Sequence, residues 1–315
     1  MAEKHLSSTA QSHIAALLAQ GPDIDLPSIA NWADEVRAAA SDRGPLSDDP
    51  EARMFNAKFP TNALWHFVDL PLGAEDYREV VAFTSVNDVV HAIKRCVAVL
   101  ERAQTGPEDF TKPQALRLLV HFVGDIHQPL HCGTGFYDLS DLSHPVLITD
   151  PRLCAGKPND RGGNDLFFGS EPNQELHALW DESLVFAIRN TADYRSLADW
   201  LDSTQSVSST TGDYHNWPEQ WAIDSVQQAT KSLSPPPVWR RCHRRATPSD
   251  HHSTANRLHR HKSSNRFRTV TESRAAFSQA FERDPMARLL TTNKIGGQSS
   301  VTLIHLGGFV WRPAP

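Results

Sequence analysis

Residues 119 to 133, LVHFVGDIHQPLHCG, set His121, Asp125, His127 and His131 into what otherwise reads as one apolar helix and its end. On a helix, residues four apart lie one above the other, so the His121 imidazole and the Asp125 carboxylate converge on one point. Pro129 has no N–H and its ring clashes with the carbonyl of Asp125. That bends or ends the helix and sends His131 out at a different angle, near the same point or just beside it. The pattern recurs in ELHALWDES, where His177 and Asp181 are four apart, while NWADEVR offers Asp34 and LWHFVD offers His66 and Asp69 among apolar neighbours. Buried imidazoles and carboxylates are costly unless paired or metal-bound. One His-x-x-x-Asp pair is more often an ordinary hydrogen-bonded pair than a ligand set. Two such pairs, joined by His131, His66 and Asp34, point to metal. Mixed imidazole and carboxylate ligands suit zinc, and a carboxylate can bridge two ions.

Other candidates carry less. His127 is two residues from Asp125 and on another helix face, so a structural or exposed role is expected. Cys132 has no partner cysteine nearby to ligate with it. His251, His252, His259 and His261 have a metal-like composition, but their segment shows no sustained apolar period and the cluster reads as incidental.

The elements that must position these residues read as helices joined by Pro- and Gly-marked loops. Apolar spacing gives helices over about 6–20, 86–103, 112–126, 173–190, 194–203 and 217–231, with Ser28 capping IANWADEVRAAA and Pro113 suited to a first turn. Little alternates with period two, so the fold class is mainly α. Residues 134–163 form a long Asp-, Pro- and Gly-rich connection. Beyond residue 231 the chain turns rich in Pro, Ser, Arg and His, and a disordered tail over 232–315 is expected after a domain at 1–231.

Charge divides at the same place. Residues 1–230 hold 16 Lys and Arg against 33 Asp and Glu, net −17, whereas residues 231–315 hold 15 against 4, net +11. An acidic body excludes a wide grip on duplex DNA, which needs clustered cations along the phosphates, and suits a site for metal cations. No apolar run approaches the roughly 18 residues of a membrane span, and MAEKHLSSTAQ has none of the features of a signal peptide. Four cysteines without CxxC spacing indicate neither a zinc ribbon nor a disulfide framework, although a Cys132–Cys154 bridge is one option.

With these residues in hand, the chain resembles the zinc-dependent single-strand-specific nucleases and 3'-nucleotidases of the S1/P1 type. The matching stretches are NWADEVR, LWHFVDLP, ALRLLVHFVGDIHQPLHCG, RGGNDLFFG and ELHALWDES, in family order over about residues 2 to 230. The resemblance implies a mostly helical fold shared with zinc phospholipases C, three zinc ions and a secreted or periplasmic monomer. Asp34, His66, His121 and Asp125 are then implied as ligands of one zinc, with Asp125 bridging, and His131, His177 and Asp181 as ligands of a second. Phe67 and Asp69 match the nucleobase pocket, the ring stacking on a base and the carboxylate accepting from its edge. Arg37 matches a residue that steadies the phosphate, and Asp34 is a possible assistant to the base. The implied reaction is metal-assisted hydrolysis of single-stranded RNA and DNA, leaving 5'-phosphates.

Two departures shape the expectation. The family's third zinc is held by an N-terminal Trp and a nearby His that this chain does not show, His5 and His13 being poor substitutes by position, so a misassigned or truncated start is expected. The basic tail stands where a closing helix belongs, and a frameshift near residue 232 is the expected cause. The alternative readings are an inactive metal-binding remnant of the same family and a zinc phospholipase C. Phe67 and Asp69 weigh against the latter, because a base platform has no use for a lipid headgroup.

Overall fold

The apolar run that holds the ionisable residues does form one helix, α7 (Lys112–His127), and its start is fixed locally. Thr111 accepts from the Gln114 N–H, Gln114 accepts from the Thr111 N–H, and a proline stands in the first turn. Residues on every side of α7 are buried, among them Leu116, Leu118, Phe122 and Ile126, which makes it the central helix. Its last turn ends at Gln128, and Pro129 opens the short α8 (Pro129–Cys132), so the chain changes direction between Asp125 and His131 as the proline requires.

The computed structural model describes residues 2–23, 25–102, 106–141, 144–166, 175–183, 194–204, 210–233, 294–295 and 298–299. Ahead of α7 come α1 (Ala2–His5), α2 (Ser8–Leu18), α3 (Leu26–Ile29), α4 (Trp32–Ala39), α5 (Pro50–Lys58), a 3-10 turn at Asn62–His66, strand β1 (Leu70–Pro71) and α6 (Val89–Glu101). After α8 follow β2 (Gly133–Thr134), β3 (Phe136–Asp138), β4 (Val146–Ile148), α9 (Leu176–Ala178) running into a π-helical turn at Leu179–Ser183, α10 (Tyr194–Thr204) and α11 (Trp217–Leu233). Helices α6, α4, α2 and α11 pack around α7, and the fold is mainly α, as expected. The chain divides into two units, Met1–Arg241 with Thr302–Pro315, and Cys242–Val301. Within the second, the described residues are β5 (Lys294–Ile295) and β6 (Gln298–Ser299), paired antiparallel. Most of the tail expected to be disordered, with the His251–His261 cluster, lies outside the described residues.

One expectation is corrected. Ser28 does not cap the second helix: Asp25 accepts from the Ser28 N–H and Pro27 stands in the first turn, so a separate short helix forms before α4 begins at Trp32. Within the 134–163 connection, β3 and β4 pair antiparallel, Phe136 opposite Ile148. Cys132 and Cys154 are free, buried thiols and form no bridge. Helix α5 went unread for want of a strong apolar stripe, although Asp49 caps it and Pro50 opens it. Of the expected 173–190 helix, residues 175–183 are described, and they are helical from Leu176 to Ser183, as α9 and then the π-helical turn; the rest lies outside the described residues.

Local packing places His66. Trp65 sits in a cluster with Phe55, Phe59 and Phe110, and the Arg95 guanidinium lies over the rings of Phe59, Trp65 and Phe110. With Trp65 held, the 3-10 turn carries His66 to its C-terminal end, buried at 2% exposure. The next segment runs parallel to the residues after α8. The Val68 N–H donates to the His131 carbonyl, and β1 pairs with β2 in the register Leu70 opposite Gly133.

Candidate metal centre

Three elements bring one set of ligands together: α4 supplies Asp34, the 3-10 turn His66, and α7 His121, with donor atoms all within 4.8 Å of one another. His66 Nδ1 stands 3.1 Å from His121 Nε2 and 3.6 Å from an Asp34 oxygen, and His121 Nε2 is 3.8 Å from the same oxygen. Asp125 completes the group. Its Oδ2 lies 2.9 Å from His66 Nδ1 and 3.1 Å from His121 Nε2.

A second set assembles beside it. His131 from α8, His177 from α9 and Asp181 from the π-helical turn form the group, with His131 Nε2 3.6 Å and His177 Nε2 3.4 Å from the two Asp181 oxygens. The two imidazoles stack, centroids 4.9 Å apart. Asp125 reaches toward the second set as well, its other oxygen 3.5 Å from His131 Nδ1, the nitrogen on the far side of the ring from Asp181.

The donors fit zinc. A tetrahedral zinc with bonds of roughly 2.0–2.1 Å separates neighbouring donors by about 3.3 Å, and the separations above scatter around that value. Three imidazoles are also oriented from behind. His121 Nδ1 donates to the Ala30 carbonyl at 2.7 Å, His131 Nδ1 to the His66 carbonyl at 2.9 Å and His177 Nδ1 to the Gly162 carbonyl at 2.8 Å. Each bond fixes the tautomer and leaves Nε2 facing its cluster, the arrangement metal-ligating histidines adopt. His66 and His121 meet nitrogen to nitrogen, a contact that only a shared proton or a cation relieves.

Electrostatics report the same strain. Burial alone would push His121 down, but the Asp125 charge outweighs it and holds the imidazole up at about 9. His131 is likewise up at about 9, burial again overcome by Asp125 and then by Asp181. Burial keeps His66 and His177 below the ordinary histidine value, and His131 adds to the effect on His177. Asp125 is pushed up by its burial yet ends well below the carboxylate range, because His121 and His131 surround it. The carboxylate between the two sets is therefore ionised and shared.

Arg37, Phe67 and Asp69 lie within three residues of Asp34 or His66 along the chain. Arg37, exposed on α4, donates to Asp34 at 2.7 Å. Phe67 and Asp69, both half-buried, follow His66 along the segment beside α8, and Asp69 accepts from the Thr134 hydroxyl at 2.7 Å. His127 is buried, its Nδ1 donating to the Val123 carbonyl and its ring tilted against Trp221, which is the structural role expected. His5 pairs with Asp202 and belongs to neither ligand group among the described residues. Gln128 was missed. It caps α8 through the Leu130 N–H and donates to Asp181 at 2.8 Å, and its place just before Pro129 was the available signal.

Comparison with known proteins bears on this geometry. Endonuclease 4 of Arabidopsis thaliana is 23% identical over 244 residues, covering 72% of this chain, and the chain spans 65% of that relative's length. The sequence model of the S1/P1 nuclease family matches residues 1–266, which include every residue of both ligand sets. A match over that much of the chain, with the ligands converging as described, makes this protein a member of the S1/P1 nuclease family.

Proposed function

We propose that the protein is a zinc-dependent nuclease that hydrolyses phosphodiester bonds of single-stranded RNA and DNA, leaving 5'-phosphates, and that it also acts on 3'-nucleotides. The observation that carries the reading is the pair of His and Asp sets with Asp125 between them. In it, Asp34, His66, His121 and Asp125 would hold one ion, and His131, His177 and Asp181 would hold another. Bound there, zinc would supply Lewis acidity and a water acidic enough to lose its proton near neutral pH.

The chain's own groups do the rest. Asp125 faces both sets through its two oxygens. Asp34, at the exposed side of the first set, accepts from Arg37 and, on this reading, assists by taking a proton from the attacking water. Arg37 offers its guanidinium to the charge that grows on the phosphate. Phe67 stacks on an unpaired base, and Asp69, turned by Thr134, accepts from the base edge. A duplex presents no free base face, so stacking of this kind demands single strands.

The test is cleavage of labelled single-stranded and duplex oligonucleotides by zinc-loaded protein, with a parallel assay of phosphate release from a 3'-nucleotide. Single strands cut to 5'-phosphate ends, activity lost to a chelator and recovered with zinc, is the expected result. A folded, zinc-loaded chain that cuts nothing would reject catalysis and leave a metal-binding remnant. Headgroup release from phosphatidylcholine in its place would favour the phospholipase reading.

A further inference from the structure

Asp160 belongs to neither ligand set, yet its carboxylate is 2% exposed and fully engaged. One oxygen accepts from the Gly135 and Gly163 N–H groups, each at 3.1 Å, and the other accepts from the Tyr137 hydroxyl at 3.0 Å. Its own N–H donates to the Gly135 carbonyl at 3.0 Å. One side chain thus ties the residues leading into the β3–β4 hairpin to the loop at 161–163.

That loop does not hold its shape alone. Arg161, Gly162 and Gly163 are three successive residues at positive φ, 54°, 60° and 79°, and a left-handed arginine persists only where its surroundings enforce it. The loop also lies directly on α8, since a Cβ on Gly162 would come within 2.2 Å of the Leu130 carbonyl, one residue before His131. Its outward contribution is the Gly162 carbonyl, the acceptor that turns His177 Nε2 toward Asp181.

We infer that Asp160 is a positioning residue for the second ligand set: by fixing the 161–163 loop it holds the Gly162 carbonyl that aims His177. The inference rests on the reading that His131, His177 and Asp181 hold a metal ion. A carboxylate that merely stabilised the fold would weaken both ligand sets together, whereas this one weakens the second.

The experiment is calorimetric titration of the chelator-stripped full chain with zinc, with the visible absorption of bound cobalt as a second readout. His121→Ala and His177→Ala assign the binding steps to the two sets. Asp160→Ala is expected to weaken the second step by about 10–100-fold, the usual cost of losing an outer-shell partner, with the first step unchanged. Asp160→Asn keeps an oxygen for the two N–H groups and restores the second step. Where Asp160→Ala fails to fold, Tyr137→Phe removes the hydroxyl that donates to Asp160 and is expected to give a smaller loss confined to that step. Equal weakening of both steps, or a second step left at wild-type affinity in Asp160→Ala, overturns the inference. A His177→Ala protein that titrates like wild type instead overturns the metal reading beneath it.

Discussion

Single residues in this site are held in states that water would not give them. Asp125 stays ionised while almost wholly buried because His121 and His131 face it, so neutralising it removes the charge that both sets share. Asp125→Asn is expected to lower bound zinc and to cut hydrolysis by more than the roughly hundredfold typical of outer-shell changes, as read by elemental analysis and oligonucleotide cleavage. Phe67→Ala should act differently. Base stacking is worth about 1–3 kcal/mol, so KM for single strands is expected to rise about 5- to 150-fold with zinc content unchanged. Asp160 makes a pH prediction of definite sign. Burial raises its carboxyl from 3.8 to about 6, so between those values the folded chain keeps a proton that the unfolded chain has lost. Its contribution to stability is fullest below about pH 4, falls as pH rises toward 6 and is flat above. Relative to Asp160→Asn in chelator, the wild type should lose about 3 kcal/mol across that window in urea unfolding, and a constant difference would refute it.

At the scale of elements, the loop and caps decide what the helices can hold. Gly162→Ala would place a Cβ against the Leu130 carbonyl at a positive φ, and a loss of about 1–3 kcal/mol in thermal unfolding is expected, together with weaker binding at the second set. The central helix was legible in the sequence because its apolar run, Pro113 and the Thr111 cap all agree, and ionisable residues inside an apolar run are conspicuous. His177 and Asp181 were legible as a pair for the same reason, although their spacing is realised across a short helix and a π-helical turn. Less could be read where two local signals compete. Ser28 and Asp25 are both good caps, and spacing alone did not show that Asp25 would take the N–H groups. Gln128 reaches the Asp181 side chain and Asp160 reaches the Gly135 N–H, contacts between residues far apart in sequence that no periodicity encodes. The Cys132–Cys154 option failed because each thiol is buried in its own surroundings, Cys132 donating to the Ile126 carbonyl.

At the scale of the whole molecule, the two sets draw their residues from α4, the 3-10 turn, α7, α8, α9 and the π-helical turn, segments far apart in sequence. Metal binding to the folded form alone stabilises it by about 2.7 kcal/mol at a free concentration one hundred times Kd, so a chelator is expected to lower the melting temperature of the protein and zinc to restore it. An unchanged melting temperature would mean that the sets hold no ion at that concentration. Charge is equally uneven on this scale, with net −17 over residues 1–230, a field that draws divalent cations, and Arg37 is the cation paired with Asp34 of the first set. No helix among the described residues is long and apolar enough to cross a membrane. The order of the ligands along the chain also sets a timetable for synthesis. On the proposed reading, the residues of the first set all lie within the first 125 positions, whereas the second set needs residue 181, so the ligands for one ion would be synthesised before those for the other are complete.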